Sequence, residues 1–143
     1  MKKIVISWIV ALMLILVPSC LFAVDFAEIY RDDEKTIFLD TSSIEDVGIY
    51  YKAWTKTTYN THEANKKASE HLKINKEVNC ELELWAYEKN NKRIGLLALY
   101  VYDNNKNIIK SFNYENYPIS WTSVIPGSIG ELIIEKVYLF AGK

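Results

Sequence analysis

Few residues in this chain have types and spacing that could do chemistry. His62 and His71 stand nine positions apart in a polar stretch, whereas two histidines sharing a helix face to hold a metal need a spacing of about four. Outside the N-terminal segment Cys80 is the lone cysteine, so no cysteine pair completes a zinc site. Its simplest reading is a small buried hydrophobe, and an interchain disulfide is the alternative. Glu81 and Glu83 share one face of an extended segment. Paired acids do acid–base work when their environments push their pKa values apart, but the simpler reading is a solvated strand face. Asp32, Asp33 and Glu34 lack the alternating spacing of a calcium loop. No glycine-rich phosphate loop or nucleophile elbow is present. The reading is a non-enzyme with no catalytic residues, no metal and no cofactor.

The feature that does point to function is a stripe. Tyr50, Lys52, Trp54 and Lys56 fall on one parity of a long strand-like run. Aromatics interleaved with lysines on a sheet face can grip a polyanion, a glycan or an acidic protein patch. The competing reading has the rings packed into the fold with the lysine stems lying along the surface. Trp85 and Tyr87, on the polar parity of a neighbouring run, are read as extending the same patch.

The elements that must position these residues are mostly strands. Residues 26–31 and 36–40 flank the polar turn 32–35 and predict a hairpin. Ile49 to Tyr59 is rich in Tyr, Trp and Thr, which favour strands. Asn60 to Asn75 is polar and holds at most a short helix over residues 63–72. From Glu77 to Glu88 the period is two: Val78, Cys80, Leu82, Leu84 and Ala86 point one way, and Asn79, Glu81, Glu83, Trp85 and Tyr87 the other. Arg93 to Tyr102 is apolar on both parities, as a strand covered on both faces would be. Asn107 to Tyr114 is a further strand, and the short turns between runs make neighbours antiparallel. The period then changes. Ser128 and Glu131 form a capping box, followed by a helical stripe of Ile129, Leu132, Ile133, Val137 and Phe140. The fold class is α+β: an antiparallel sheet of about five to six strands with a C-terminal helix packed on one face.

Composition limits the setting. The 143 residues carry 17 Lys+Arg against 18 Asp+Glu, a net charge of −1, which argues against a nucleic-acid binder. Met1, Lys2 and Lys3 precede an apolar run ending at Val17, and Pro18 follows. Residues 4–17 as a helix span about 21 Å, short of the ~30 Å of a hydrocarbon core, so the segment reads as a secretory signal. Cleavage after Ala23 leaves 24–143 as one domain. The alternative reads residues 17–20 as a lipobox with Cys20 lipidated. Loss of Lys2 and Lys3 takes the charge to 15 − 18 = −3. The expected location is the periplasm or the surface of a bacterium, with membrane attachment only through the signal or a lipid anchor. The partner is a host extracellular-matrix protein or another envelope component, and the chain is a monomer or dimer.

Five short stretches, in order, resemble the surface-adhesin protein E family. They are Ile37-Phe38-Leu39-Asp40-Thr41-Ser42-Ser43-Ile44, Ala53-Trp54-Thr55-Lys56, Asn79-Cys80-Glu81, Tyr100-Val101-Tyr102-Asp103 and Val124-Ile125-Pro126-Gly127-Ser128. The resemblance covers roughly residues 25–138. It implies an exported bacterial envelope protein, an antiparallel sheet carrying a C-terminal helix, and adhesion to host matrix proteins. It also implies a disulfide from the central-strand position of Cys80 to the last helix near Tyr138, where no second cysteine stands. The alternative to an adhesin is a periplasmic structural module, or one that encloses a small apolar ligand between helix and sheet.

Overall fold

A computed structural model describes residues 25–142. The expected secretory segment, its cleavage point after Ala23 and Cys20 lie outside the described residues. Among those residues eight strands form one sheet: β1 (Phe26–Arg31), β2 (Lys35–Asp40), β3 (Glu45–Asp46), β4 (Tyr50–Tyr59), β5 (Cys80–Glu88), β6 (Arg93–Tyr102), β7 (Ile108–Asn113) and β8 (Thr122–Ser123). Two helices accompany them, α1 (His62–His71) and α2 (Ile129–Ala141).

The main path runs β1-β2-β4-β5-β6-β7, and every pairing is antiparallel. This is the expected α+β architecture, with two short strands added at shared edges. β2 pairs with β4 from Tyr59 to Thr55, and β3 takes over the same edge at Lys52 and Tyr51. A single 3-10 turn at Thr41–Ser43 joins β2 to that shift, capped by Asp40, whose carboxylate accepts from the Ser42 amide at 3.1 Å. The other long edge is shared in the same way. β7 pairs with β6 from Ala98 to Tyr102, and β8 pairs with it at Arg93 and Ile94.

Both helices pack on one face of the sheet. Under α2, Ile29, Ile37, Leu39, Ala53 and Tyr87 form a cluster with Ile134 and Val137. Under α1, Ala68 meets Val78, Leu99 and Val101. The short polar-stretch helix is therefore real. Its N-cap Thr61 accepts from the Ala64 amide at 3.1 Å, satisfying a donor that the helix itself leaves unpaired. Its small residues Ala64, Ala68 and Ser69 let it lie close to the strands, and the Ser69 hydroxyl receives the Val78 amide at 3.0 Å.

The stripe expected along α2 is shifted. Ile134, absent from that stripe, is fully buried with Val137, while Leu132 stays partly exposed outside the cluster. The capping box is half formed. The Ser128 hydroxyl accepts from the Glu131 amide at 3.3 Å. The Glu131 carboxylate bonds the Gly127 amide at 2.7 Å and Lys92 at 2.8 Å instead of the Ser128 amide. The Ser128 amide is already used by the Ile125 carbonyl at 3.1 Å.

Candidate functional site

The register decides which face carries which side chains. Ala53 lies opposite Trp85, and Tyr51 opposite Tyr87. Trp85 and Tyr87 therefore share the helix-covered face with Tyr51, Ala53, Thr55 and Thr57. Tyr87 is 1% exposed, and Trp85 packs against the cluster beneath α2. Neither extends the stripe, which corrects the expectation from sequence: side chains directly opposite in an antiparallel pair point the same way, and both residues stand opposite the other parity of β4.

Glu81 and Glu83 are corrected with them. Their face is not solvated; it lies beneath the helices. Glu81 is 9% exposed and accepts from the Tyr59 hydroxyl. Burial, then Glu81, raises the Tyr59 pKa well above its usual value. Glu83 accepts from the Thr55 hydroxyl at 3.4 Å. Burial, followed by the charge of Glu81, pushes its carboxyl up to about 7, against weaker opposing effects from Trp85, Thr55 and Lys35. A cavity of about 70 Å³ lies here, lined by Glu83, Thr57, Tyr87, Ile37, Gly130 and Ile133. Organic ligand sites run to ~300 Å³ or more, so this space does not take an apolar ligand between helix and sheet.

The alternating apolar parity of β5 is the outward one. Leu82, Leu84 and Ala86 lie opposite Lys56, Trp54 and Lys52, on the face that neither helix covers. One end of that face is closed by the segment leading into β8. Ile119 and Trp121 pack on Leu84, Ala86, Leu97 and Ala98 together with Tyr50 and Trp54. The Tyr50 and Trp121 rings meet edge to face at 5.9 Å, and the Arg93 guanidinium lies 5.6 Å from the Trp121 ring. Gly95 permits this crossing.

The four stripe residues therefore share one face but not one environment. Tyr50 belongs to the packed end. Lys52 pairs with Glu45 at 2.8 Å across the β3–β4 edge. Trp54 stands 6.0 Å from Tyr100, centroid to centroid. Lys56 lies 5.7 Å from the centre of the Phe26 ring. Beyond Trp54 and Lys56 the face opens into a groove of about 370 Å³ formed by Phe26, Lys56, Asn79, Cys80, Leu82, Tyr102, Asp103 and Lys106.

Several groove residues escaped the sequence reading. The parity of Cys80 and Leu82 with Leu84 was a usable signal. Phe26, Tyr102 and Lys106 arrive from other strands and turns, and only the register brings them together.

Cys80 is free and half-buried at the floor of this groove. Burial raises its thiol pKa, so it is a weak nucleophile. The disulfide position implied by family resemblance does not fit. The Tyr138 hydroxyl donates to the Glu88 carbonyl, and Glu88 ends the strand that Cys80 begins. Nine strand residues span ~26 Å at the usual rise, and α2 lies on the opposite face. A cysteine at position 138 would be far beyond the ~6 Å Cα spacing of a disulfide. Among the described residues no group of three or more His, Cys, Asp or Glu side chains is placed to hold a metal. No described helix is long and apolar enough to cross a membrane.

The family model described as Surface-adhesin protein E matches residues 26–137. No curated protein matches the chain, and no solved structure matches it.

Proposed function

Because the chain belongs to the surface-adhesin protein E family, we propose that it is an exported bacterial envelope protein that works as a non-enzymatic binding module. Its ligand is a host extracellular-matrix protein, bound on the helix-free face of the sheet. The observation that carries this reading is the inversion of the sheet. The helices cover the face that holds Glu81 and Glu83. The face left uncovered carries Trp54, Tyr100, Leu82 and Phe26, with Lys52 and Lys56 among them. Apolar surface that is left open at a fold's edge, flanked by charged groups, is the composition of a protein-docking site.

Two measurements test this. Bacteria expressing the full sequence are labelled with a membrane-impermeant amine reagent before lysis. Labelling of this protein's lysines supports a surface position, whereas labelling only after lysis moves it to the periplasm and removes the adhesin reading. The same cells are then tested for adhesion to immobilised matrix proteins. Lys56→Glu and Trp54→Ala should each lower adhesion at least tenfold. Full adhesion by both variants would remove the helix-free face as the site.

A further inference from the structure

The groove beyond Trp54 has a chemistry of its own. Its floor is apolar: Leu82, the Cys80 thiol, the Phe26 ring and Tyr102. Lys56 and Lys106 both line it. Neither lysine forms an ion pair among the described residues, whereas Lys52, Lys67, Lys89 and Lys92 each do. The acid that lines the groove is committed elsewhere. Asp103 Oδ1 accepts from the Asn105 and Asn107 amides, each at 2.9 Å, and Oδ2 accepts from the Asn107 side chain at 3.2 Å. Those bonds, led by the Asn107 amide, hold its carboxyl below the usual range. They also fix the turn that carries Lys106, whose φ of 64° is left-handed. The lysine is thus carried on a constrained turn and not on a free loop.

An apolar floor beside two ammonium groups and one carboxylate, a surplus of positive charge, is complementary to one kind of ligand. It is an apolar side chain with carboxylates beside it. We propose that this groove docks an acidic peptide segment of the partner protein, with an apolar side chain on Leu82, Cys80 and Phe26 and its flanking carboxylates paired to Lys56 and Lys106. This rests on the adhesin reading and adds to it the charge and hydrophobicity of the segment recognised. The volume of about 370 Å³ is within the range that holds one such anchor. Charge complementarity decides the sign of the partner; a basic segment would meet the two lysines unfavourably.

The test uses the intact protein and a fluorescein-labelled peptide that alternates glutamate and leucine, read by fluorescence polarisation. A matched peptide with glutamine for glutamate is the control. The acidic peptide should bind at least tenfold tighter than the control, and its affinity should fall as salt rises. In Lys56→Gln/Lys106→Asn its dissociation constant should rise at least tenfold. Asparagine is chosen because it tolerates the left-handed backbone at 106. Occupancy should also slow maleimide modification of Cys80 in the unmutated protein, a readout that survives if the double variant folds poorly. Equal binding of both peptides, unchanged binding by a folded double variant, or no protection of Cys80 would overturn the proposal. So would binding of a heparin fragment with no binding of the peptide, which would assign the lysines to a sulfated glycan. Adhesion to a matrix protein without peptide binding would sink the groove and leave the adhesin reading standing. Peptide binding without adhesion would do the reverse.

Discussion

The indole of Trp54 and the phenol ring of Tyr100 lie 6.0 Å apart with their planes tilted at 40°, on the sheet face away from both helices. β5 runs between their strands, so the pair bridges over Leu82 and Leu84. The pair is a packing contact on the face proposed above as the docking surface. Trp54→Phe should keep the fold within about 1 kcal/mol, because an aromatic partner for Tyr100 remains. Trp54→Ala should cost about 2 kcal/mol or more, since it also leaves a hole beside Leu84. Urea denaturation of both variants checks this. If both lose adhesion but only the alanine variant loses stability, the ring's binding and packing roles are separated.

Gly95 lies under Ile119. A Cβ at Gly95 would sit 2.3 Å from the Ile119 Cγ2 atom and 3.3 Å from the Ser120 carbonyl oxygen. The segment that closes the packed end of the face can cross β6 only because that Cβ is missing. Gly95→Ala should destabilise by about 1–3 kcal/mol through overpacking. Ile119→Ala in the same chain should recover part of that loss, so the two substitutions should be coupled. Strict additivity in denaturant titrations would show that the crossing tolerates the methyl group without moving.

Glu83 makes stability depend on pH. Its carboxyl is pushed up to about 7 in the folded chain from 4.5. The folded state therefore holds the proton more tightly than the unfolded one. The contribution is fully present below about pH 4.5 and is lost as pH rises through about 7. At ~1.4 kcal/mol per unit the total is of order 3 kcal/mol. Lys35 and Glu81 are the charged groups that act on it directly. Glu83→Gln keeps the size and removes the titration. The gap in melting temperature between variant and parent should widen from pH 5 to pH 8, with the variant the more stable at pH 8. Parallel curves would mean that Glu83 is solvated in the folded protein.

Tyr138→Cys gives a direct check on the packing of α2. The helix is held by Ile134 and Val137 and by the hydrogen bond from the Tyr138 hydroxyl to Glu88. The new cysteine should not pair with Cys80 under oxidising conditions, because it stands at the far end of β5 and across the sheet. In residues 24–143 carrying this substitution, two free thiols should be titrated in the unfolded, unreduced protein. An intramolecular disulfide would place α2 differently from the position described above.

Much of the fold is legible along the chain because its signals are local. The alternation in Cys80–Glu88, the aromatic and threonine-rich run before Tyr59, and the Ser128 cap each depend on neighbours a few residues away. The bounds Phe26–Arg31 and Arg93–Tyr102 are the same in sequence and structure. The shift of the α2 core to Ile134 is less legible. Ile133 and Ile134 are equally apolar, and only the angle at which the helix meets the sheet chooses between them. The candidate site is legible only in part. Tyr50, Lys52, Trp54 and Lys56 share a face because parity within one strand is local. Which of them packs and which stays open depends on residues 119–121, far away in sequence.

The sequence by itself determined the six longer strands, the final helix, the antiparallel pairing across short turns and the parity of each run. Tertiary structure decided which parity faces the helices. The sequence pattern places the more apolar side of Cys80–Glu88 inward, yet Tyr87 and Trp85 are bulky enough to fill the core beneath α2 while Glu81 and Glu83 find partners in Tyr59 and Thr55. Burying that mixed side leaves the small, smooth side of β5 outward. A pattern of period two reports that a strand has two unlike faces. It carries no information on where the helices lie, because that depends on the summed shape of six strands and not on any one of them.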